Sequence, residues 1–376
     1  MSQKILTAEN SWEQLDAYIK EHSTDTVFLV CDSSLPFLAL NDYFASAEER
    51  LGRRIVYFND FQPNPLYESV RAGVYHFNES HAQMILAVGG GSAMDVAKCI
   101  KLYANMDPGQ NYLDQLIVPN DIPFLAVPTT AGTGSEATRY AVIYYKGEKQ
   151  SISHVSCIPD AVLMDPGVLK TLPEYQKKST MLDALCHATE SFWSVNSTDD
   201  SKVDSIAAIR GILANMEGYL ANTDEGNAGM LEASHKAGKA INVTQTTAGH
   251  AMCYKLTSLF HIAHGHAAAL CDAALFPYMI EHTGRCIDAR GEAYLKETFM
   301  QIAYAYDCRT PKEAAEKLRS IVYDRLCMPV PQNVSEEDIR ILTTSVNPVR
   351  LKNHPIRLDE ETIDSLYRQI LSGESK

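Results

Sequence analysis

The sequence predicts an α/β domain followed by an all-helical one, on three observations. Short apolar strands alternate with helical stretches up to Asp165-Pro166, the strand signals stop there, and helical periodicity takes over for the rest of the chain. In order, TVFLVCD, RRIVYFND, QMILAVGGG, IPFLAVPTT, AVIYY and DAVLMDP are β-branched or continuous apolar runs that end in Gly, Pro, Asp or Thr. PLYESVRAGVYHFNES and SAMDVAKCIKLYANM read as helices between them. Strands and helices in alternation imply a parallel sheet covered by helices on both faces. Beyond the boundary, SKVDSIAAIRGILANMEGYL places Val203, Ile206, Ile209, Leu213, Met216 and Leu220 at helical spacing. GEAYLKETFMQIAYAY, PKEAAEKLRSIVYDRL and SEEDIRILTTSV continue the pattern, the last opening on a capping Ser335. The boundary falls near 166–172, giving domains of 1–168 and 169–376. No internal repeat or low-complexity segment interrupts either.

Composition narrows the function classes. A chain of 376 residues can bury two cores, and a net charge of −14 without a basic stripe argues against a nucleic-acid partner. An anionic small substrate would therefore need a local basic pocket. Nine cysteines without a CxxC pair suggest reduced thiols in a cytosol rather than a disulfide framework. MSQKILTAENSWEQL lacks the apolar core of a signal peptide, and no apolar run approaches a membrane span. The expectation is a cytoplasmic, soluble enzyme; the sequon at Asn196-Ser197-Thr198 has no meaning without secretion.

Four residues of the helical half can bind one divalent metal: Asp183, His187, His250 and His264. Asp183 and His187 share a helix face at i, i+4 in STMLDALCHATESFW. One unbroken helix would hold His250 and His264 about 21 Å apart, whereas metal–ligand bonds are about 2 Å long. The chain must therefore fold back between them, and TSLFHIAHG can supply the bend. One carboxylate and three neutral imidazoles leave a divalent ion with net positive charge, a Lewis acid for an alcohol or aldehyde oxygen. The plain alternative, core or surface histidines, suits any one of the twelve His better than it suits four in this arrangement. Cys186 and Cys253, close by in sequence, read as small packing residues.

In the first half, MILAVGGGSAMDVAK is a strand, a glycine turn and a helix, a geometry that admits a phosphate to helix N–H groups. It is not the spaced GxGxxG pattern. A second loop, PTTAGTGSEAT, follows the next strand, and two such loops meet where doubly wound sheets bind ligands. The domain is thus expected to be a Rossmann-like, dinucleotide-binding one. Asp32, at the end of the first strand, could accept from a ribose 2′-OH and favour NAD(H) over NADP(H), or could serve its own turn.

These motifs taken together resemble the iron-dependent (group III) alcohol dehydrogenases over essentially the full length: GGGSAMDVAK, TTAGTGSEAT, the Asp183–His187 pair in LDALCHATES, and the two-histidine segment ending HGHA. The resemblance implies a dehydroquinate synthase-like architecture, Fe²⁺ or Zn²⁺ on Asp183, His187, His250 and His264, and a homodimer. It implies cofactor positions at Asp32, Gly90, Gly91, Ser92, Asp95, Thr129, Thr130 and Ser135. Many relatives carry a histidine where this chain has Tyr254, so proton transfer is open among Tyr254, His266, solvent and a ribose hydroxyl, with ordinary packing near the site as the alternative role for both residues. GSEATRYAVIY, ESFWSVNST and AGKAINVTQTTAGHAMCYKLTS look most like the phosphonoacetaldehyde reductase (hydroxyethylphosphonate dehydrogenase) branch. Their cations, Arg139, Lys239 and Lys255, are the expected grips for a phosphonate dianion, with ordinary ion pairing as the alternative. Rival expectations are a dehydrogenase of uncharged short alcohols or diols of the lactaldehyde/propanediol type, and a sugar-phosphate cyclase using the same cofactors. A non-catalytic metal-binding or assembly protein would leave both nucleotide loops unused.

Overall fold

The computed structural model describes residues 3–8 and 11–372. Two compact units form: one holds the chain up to Leu172 together with Asn222–Leu231, the other holds Pro173–Ala221 and the chain from Glu232 onward.

All eight strands of the described residues lie in the first unit: β1 (Lys4–Thr7), β2 (Thr26–Cys31), β3 (Arg54–Phe58), β4 (Met84–Gly89), β5 (Phe124–Pro128), β6 (Tyr140–Tyr145), β7 (Glu148–Ser153) and β8 (Ala161–Met164). Six make one sheet in the order β1-β8-β5-β4-β2-β3, every pair parallel. The helices of this part are α1 (Glu13–His22), the short α2 (Leu40–Ala45) and α3 (Ala47–Leu51), α4 (Tyr67–Ser80) and α5 (Gly91–Tyr103). Strands β2, β4 and β5 are buried at every position, which is why they read as continuous apolar runs, whereas the edge strands β1 and β3 are half exposed. Phe28, Val30, Ile85, Ala87, Phe124 and Ala126 carry the core between sheet and helices. Each large apolar side chain so buried contributes about 1.5–3 kcal/mol.

One strand departs from the expected sheet. AVIYY forms β6, which pairs antiparallel with β7 in a separate hairpin. The cause is local: Lys146 and Gly147 both take positive φ, the two-residue turn that suits the twist of a hairpin.

Chain order places the ligand crevice. From β2 the chain crosses to β3 on one side, then returns to β4 and β5 on the other, so the switch point lies between β2 and β4. Register sets Cys31 beside Val88 and Gly89 beside Pro128. Asp32, the glycine turn and Thr129 therefore emerge together at the carboxyl ends of the strands, where such sheets bind ligands.

The second unit is helical: α6 (Glu174–Trp193), α7 (Asp199–Leu220), the greater part of α8 (Asp224–Thr244), α9 (Ala248–Phe260), α10 (His264–Glu281), α11 (Glu292–Ala305), α12 (Pro311–Ser320), α13 (Glu336–Ser345), α14 (Pro348–Leu351) and α15 (Glu360–Leu371). Helix α6 is buried without interruption from Met181 to Trp193, and α10 from Gly265 to Phe276. Helices covered on all sides form the centre of their unit. Ser335 caps α13 as expected, its hydroxyl accepting from Asp338 N–H while the Asp338 carboxylate accepts from Ser335 N–H. Among the described residues no helix is long and apolar enough to cross a membrane.

His354, beyond α14, is fully buried, and burial lowers its pKa to about 4 although Glu190 pulls the other way. Unfolding returns it to about 6.5. The unfolded chain thus binds more protons between these values, so stability from this site is full above pH 6.5 and is lost as pH falls towards 4. A shift of that size is worth up to about 3 kcal/mol. His354→Gln, which cannot titrate, is expected to flatten the denaturant-measured stability profile between pH 7 and 4.5; an unchanged slope would contradict this.

Candidate metal centre

The i, i+4 spacing on α6 does what the sequence suggests. Asp183 and His187 lie on one face, and Glu190, three residues further, lies on it too. His250 comes from the first turn of α9, which ends at Phe260. His261 caps it in the left-handed conformation (φ 53°), and α10 begins at His264. This is the fold-back that TSLFHIAHG was expected to make, and it returns His264 to α6. Gly265 permits the approach: a Cβ there would sit 2.1 Å from the Ser179 carbonyl oxygen and 2.6 Å from Asp183 Cβ.

Ligand atoms of Asp183, His187 and His250 lie within 4.8 Å of one another, all three side chains buried. The His187 and His250 rings stack at 4.5 Å, and His250 Nε2 is 3.4 Å from Asp183 Oδ1. Two donors about 2.1 Å from one ion sit roughly 3.0–3.4 Å apart, so this pair already has the required spacing. His264 Nε2 stands 4.0 Å from the same oxygen, on a side chain 38% exposed. It forms the accessible edge of the cluster.

Glu190 organises the other side of His250. Its Oε1 accepts from His250 Nδ1 (2.5 Å) and His250 N–H (3.0 Å), and its Oε2 accepts from the Thr247 hydroxyl (2.7 Å) and Thr247 N–H. The carboxylate both caps α9 and commits Nδ1 as a donor, which leaves Nε2 as the nitrogen that would ligate an ion; with no ion bound, Nε2–H faces Asp183 Oδ1 as a donor. Burial would raise Asp183, but His187, His250 and His264 hold it well below the usual carboxylate range. Burial likewise would lower His250, yet Glu190 and Asp183 raise it to about 10. A site that concentrates negative charge around imidazoles in a dry interior is one a divalent cation satisfies, and the donor set fits Fe²⁺ or Zn²⁺.

The expected phosphate cradle lies in the first unit. Asp32 Oδ2 accepts from Gly90 N–H (2.9 Å), and its Oδ1 accepts from Ser34 N–H and hydroxyl. Both oxygens therefore shape the turn itself, and any ribose contact would be additional to that role. Gly89 must lack a side chain, because a Cβ would lie 2.5 Å from Asp32 Oδ2 and 2.6 Å from Ala93 Cβ. Gly91 and Ser92 open α5 with their N–H groups towards the crevice end of the sheet. Thr129 N–H bonds to the Gly89 carbonyl (3.1 Å), followed by half-exposed Thr130. Ser135 donates to Asp95 (3.2 Å) and receives buried Lys98 (2.9 Å), whose ammonium also reaches the Ser135 and Tyr140 carbonyls. Lys98 thereby joins α5 to the second loop, a role not foreseen from sequence although its spacing from Asp95 was visible.

The remaining expected residues separate. Tyr254 stacks on His264 at 5.4 Å and stands at the cluster. Burial lifts its hydroxyl well above the usual phenol range, against the pull of Arg350, which suits a hydrogen-bond donor better than an ionising acid. His266 is directed elsewhere: two residues on from His264 is about 200° around the helix, and its Nδ1 pairs with the Tyr175 hydroxyl (3.0 Å). Lys239 makes an ion pair with Asp204 (3.4 Å) and is exposed. Lys255 lies about 140° around α9 from His250, off the ligand face. Arg139 is in the other unit, its guanidinium on the Tyr140 hydroxyl (3.2 Å). Cys253 does more than pack, with Sγ 3.5 Å from His264 Nδ1. The cation beside the cluster is Arg350, which sequence reasoning missed. It lies nearly a hundred residues beyond Tyr254, whose ring it covers at 4.9 Å.

A buried carboxylate–imidazole cluster in one unit and a glycine turn at a sheet switch point in the other are the parts of a metal-dependent oxidoreductase. Residues 2–166 match the family described as iron-containing alcohol dehydrogenase, and residues 177–371 match the Fe-containing alcohol dehydrogenase family, C-terminal. The chain belongs to the iron-containing alcohol dehydrogenase family. It is 27% identical to long-chain-alcohol dehydrogenase 1 of Geobacillus thermodenitrificans, over 96% of this chain and 93% of that one. It is 29% identical to phosphonoacetaldehyde reductase of Streptomyces viridochromogenes, over 80% and 79% respectively. The fold matches sulfoacetaldehyde reductase from Bifidobacterium kashiwanohense, solved in complex with NAD+, with a TM-score of 0.86 at 23% identity over 99% and 98% of the two chains.

Proposed function

We propose that this chain interconverts a small anionic aldehyde and its alcohol with NAD(H), the pair being phosphonoacetaldehyde and 2-hydroxyethylphosphonate. The observation that carries the oxidoreductase reading is the buried convergence of Asp183, His187 and His250, with His264 at its accessible edge. A divalent ion held by these four residues, Fe²⁺ by family and Zn²⁺ by the same donor chemistry, would polarise the carbonyl oxygen. The chain's own groups do the rest. Glu190 fixes the His250 ring, Gly265 lets His264 close on α6, and Tyr254 offers a neutral hydroxyl beside His264 for a substrate oxygen. In the first unit, Gly90, Gly91 and Ser92 would receive the dinucleotide pyrophosphate, with Asp95, Thr129, Thr130 and Ser135 around it. Asp32, at the end of β2 and bonded to Gly90 N–H, would repel a 2′-phosphate bound at this turn, which favours NAD(H).

The phosphonate rests on the similarity to phosphonoacetaldehyde reductase and on a cation beside the cluster. A second reading, an uncharged alcohol, is favoured by the more complete match to the long-chain-alcohol dehydrogenase. Anaerobically Fe²⁺-loaded protein separates them through NADH oxidation with phosphonoacetaldehyde, acetaldehyde, propanal and lactaldehyde. The proposal expects kcat/KM for the phosphonate to exceed the neutral aldehydes by about a hundredfold, a difference of roughly 2.7 kcal/mol in transition-state binding. Equal or better rates on neutral aldehydes would keep the dehydrogenase and remove the phosphonate.

A further inference from the structure

The sequence offered three cations for an anionic substrate, and neither of the two in the helical unit, Lys239 and Lys255, stands on the ligand face. Arg139 lies in the other unit, Lys239 is paired with Asp204 at 3.4 Å, and Lys255 lies off the ligand face of α9. Half-buried Arg350, on α14, reaches the Tyr254 ring that stacks on the cluster. Its guanidinium carbon sits 4.9 Å from the centre of the Tyr254 ring. The same ring stacks on His264 at 5.4 Å and 30°, and His264 Nε2 is 4.0 Å from Asp183 Oδ1. Asp183, His264, Tyr254 and Arg350 thus form a ladder that runs from the metal-binding carboxylate to a cation.

We propose that Arg350 is the residue that binds the anionic end of the substrate and so sets its specificity. This rests on the aldehyde-reductase reading above and deepens it. A substrate with its carbonyl oxygen at the accessible His264 edge and a phosphonate a few bonds away spans one aromatic ring, which is the separation Tyr254 imposes. Arginine suits the place for a geometric reason. Its guanidinium lies over the Tyr254 ring, and a guanidinium carries five N–H donors in a planar fork that matches an oxyanion. A lysine would offer only a point charge there. In a chain with a net charge of −14, a cation at the site is also what offsets long-range repulsion of an anion.

The competing role is a structural one, in which Arg350 merely holds α14 on α9. Steady-state kinetics of Fe²⁺-loaded wild type, Arg350→Lys, Arg350→Gln and Lys255→Ala with phosphonoacetaldehyde and propanal distinguish them, with thermal melting as a check on folding. Arg350→Gln is expected to lower the charged-to-neutral ratio of kcat/KM at least tenfold, through KM, with part of the loss recovered in Arg350→Lys. The inhibition constant of methylphosphonate against propanal should rise at least tenfold in the same variant. Equal losses on both aldehydes would mark a structural latch and overturn the proposal, as would a ratio that moves in Lys255→Ala but not at Arg350. If Arg350→Gln melts early, Arg350→Lys decides: at least a threefold fall in the ratio supports the proposal, and a wild-type ratio overturns it. A wild type indifferent to charge overturns both this and the substrate reading, whereas a preference that survives Arg350→Gln overturns only this one.

Discussion

Glu190→Ala is expected to weaken metal binding about 10- to 100-fold, the usual cost of losing the carboxylate behind a ligating histidine. Four donors converge on Glu190: Thr247 N–H, the Thr247 hydroxyl, His250 N–H and His250 Nδ1. All belong to fully buried groups, and so does Glu190 itself. Alanine leaves them unpaired in a dry interior, so the metal-free protein should also lose on the order of 3–5 kcal/mol. Glu190→Gln separates the two effects. Its carbonyl can still accept from His250, but its amide nitrogen would then face the Thr247 donors. The helix cap should suffer more than the ring orientation in that variant. Competition against a chelator of known affinity gives the metal constants, and chemical denaturation gives the stability. Wild-type metal affinity in Glu190→Ala would show that His250 needs no partner.

The parts of this fold that were legible in the sequence are those where one local pattern sufficed. Strands β2, β4 and β5 are buried on both faces, so their apolar runs had no other reading, and the glycine turn after β4 announced itself by composition. Asp183 and His187 were legible because helical spacing alone places them together. The fold-back before His264 followed from bond lengths, and the left-handed His261 supplies it. AVIYY was harder: a short apolar run carries no mark of its partner, and only the Lys146-Gly147 turn marks the hairpin. Glu190 was within reach, since it stands three residues after His187 on the same face, but a buried glutamate has no signature until its partners on α9 are known. Arg350 lay out of reach. Its place beside Tyr254 comes from the packing of α14 on α9, and nothing near residue 350 in the sequence points to residue 254. The cations that did stand out, Lys239 and Lys255, were conspicuous only because they interrupt neutral motifs. Helical geometry turns Lys255 off the ligand face, and Lys239 finds its ion-pair partner on α7.

If Asp183, His187, His250 and His264 hold one catalytic ion, Asp183 is the ligand whose loss should matter most. It is the only carboxylate in the set, and it is nearly fully buried. Against the upward push of burial, the surrounding imidazoles hold it ionised far below the ordinary carboxylate range. Asp183→Ala removes the anionic ligand while alanine keeps the helix, so the protein should fold and bind dinucleotide but retain no ion. The direct measurement is metal content per chain after anaerobic Fe²⁺ loading and desalting, paired with NADH oxidation, in wild type and Asp183→Ala. About one ion per wild-type chain is expected, none in a folded Asp183→Ala, and turnover lost with it. A folded Asp183→Ala that keeps one ion and wild-type turnover would contradict the assignment of these ligands.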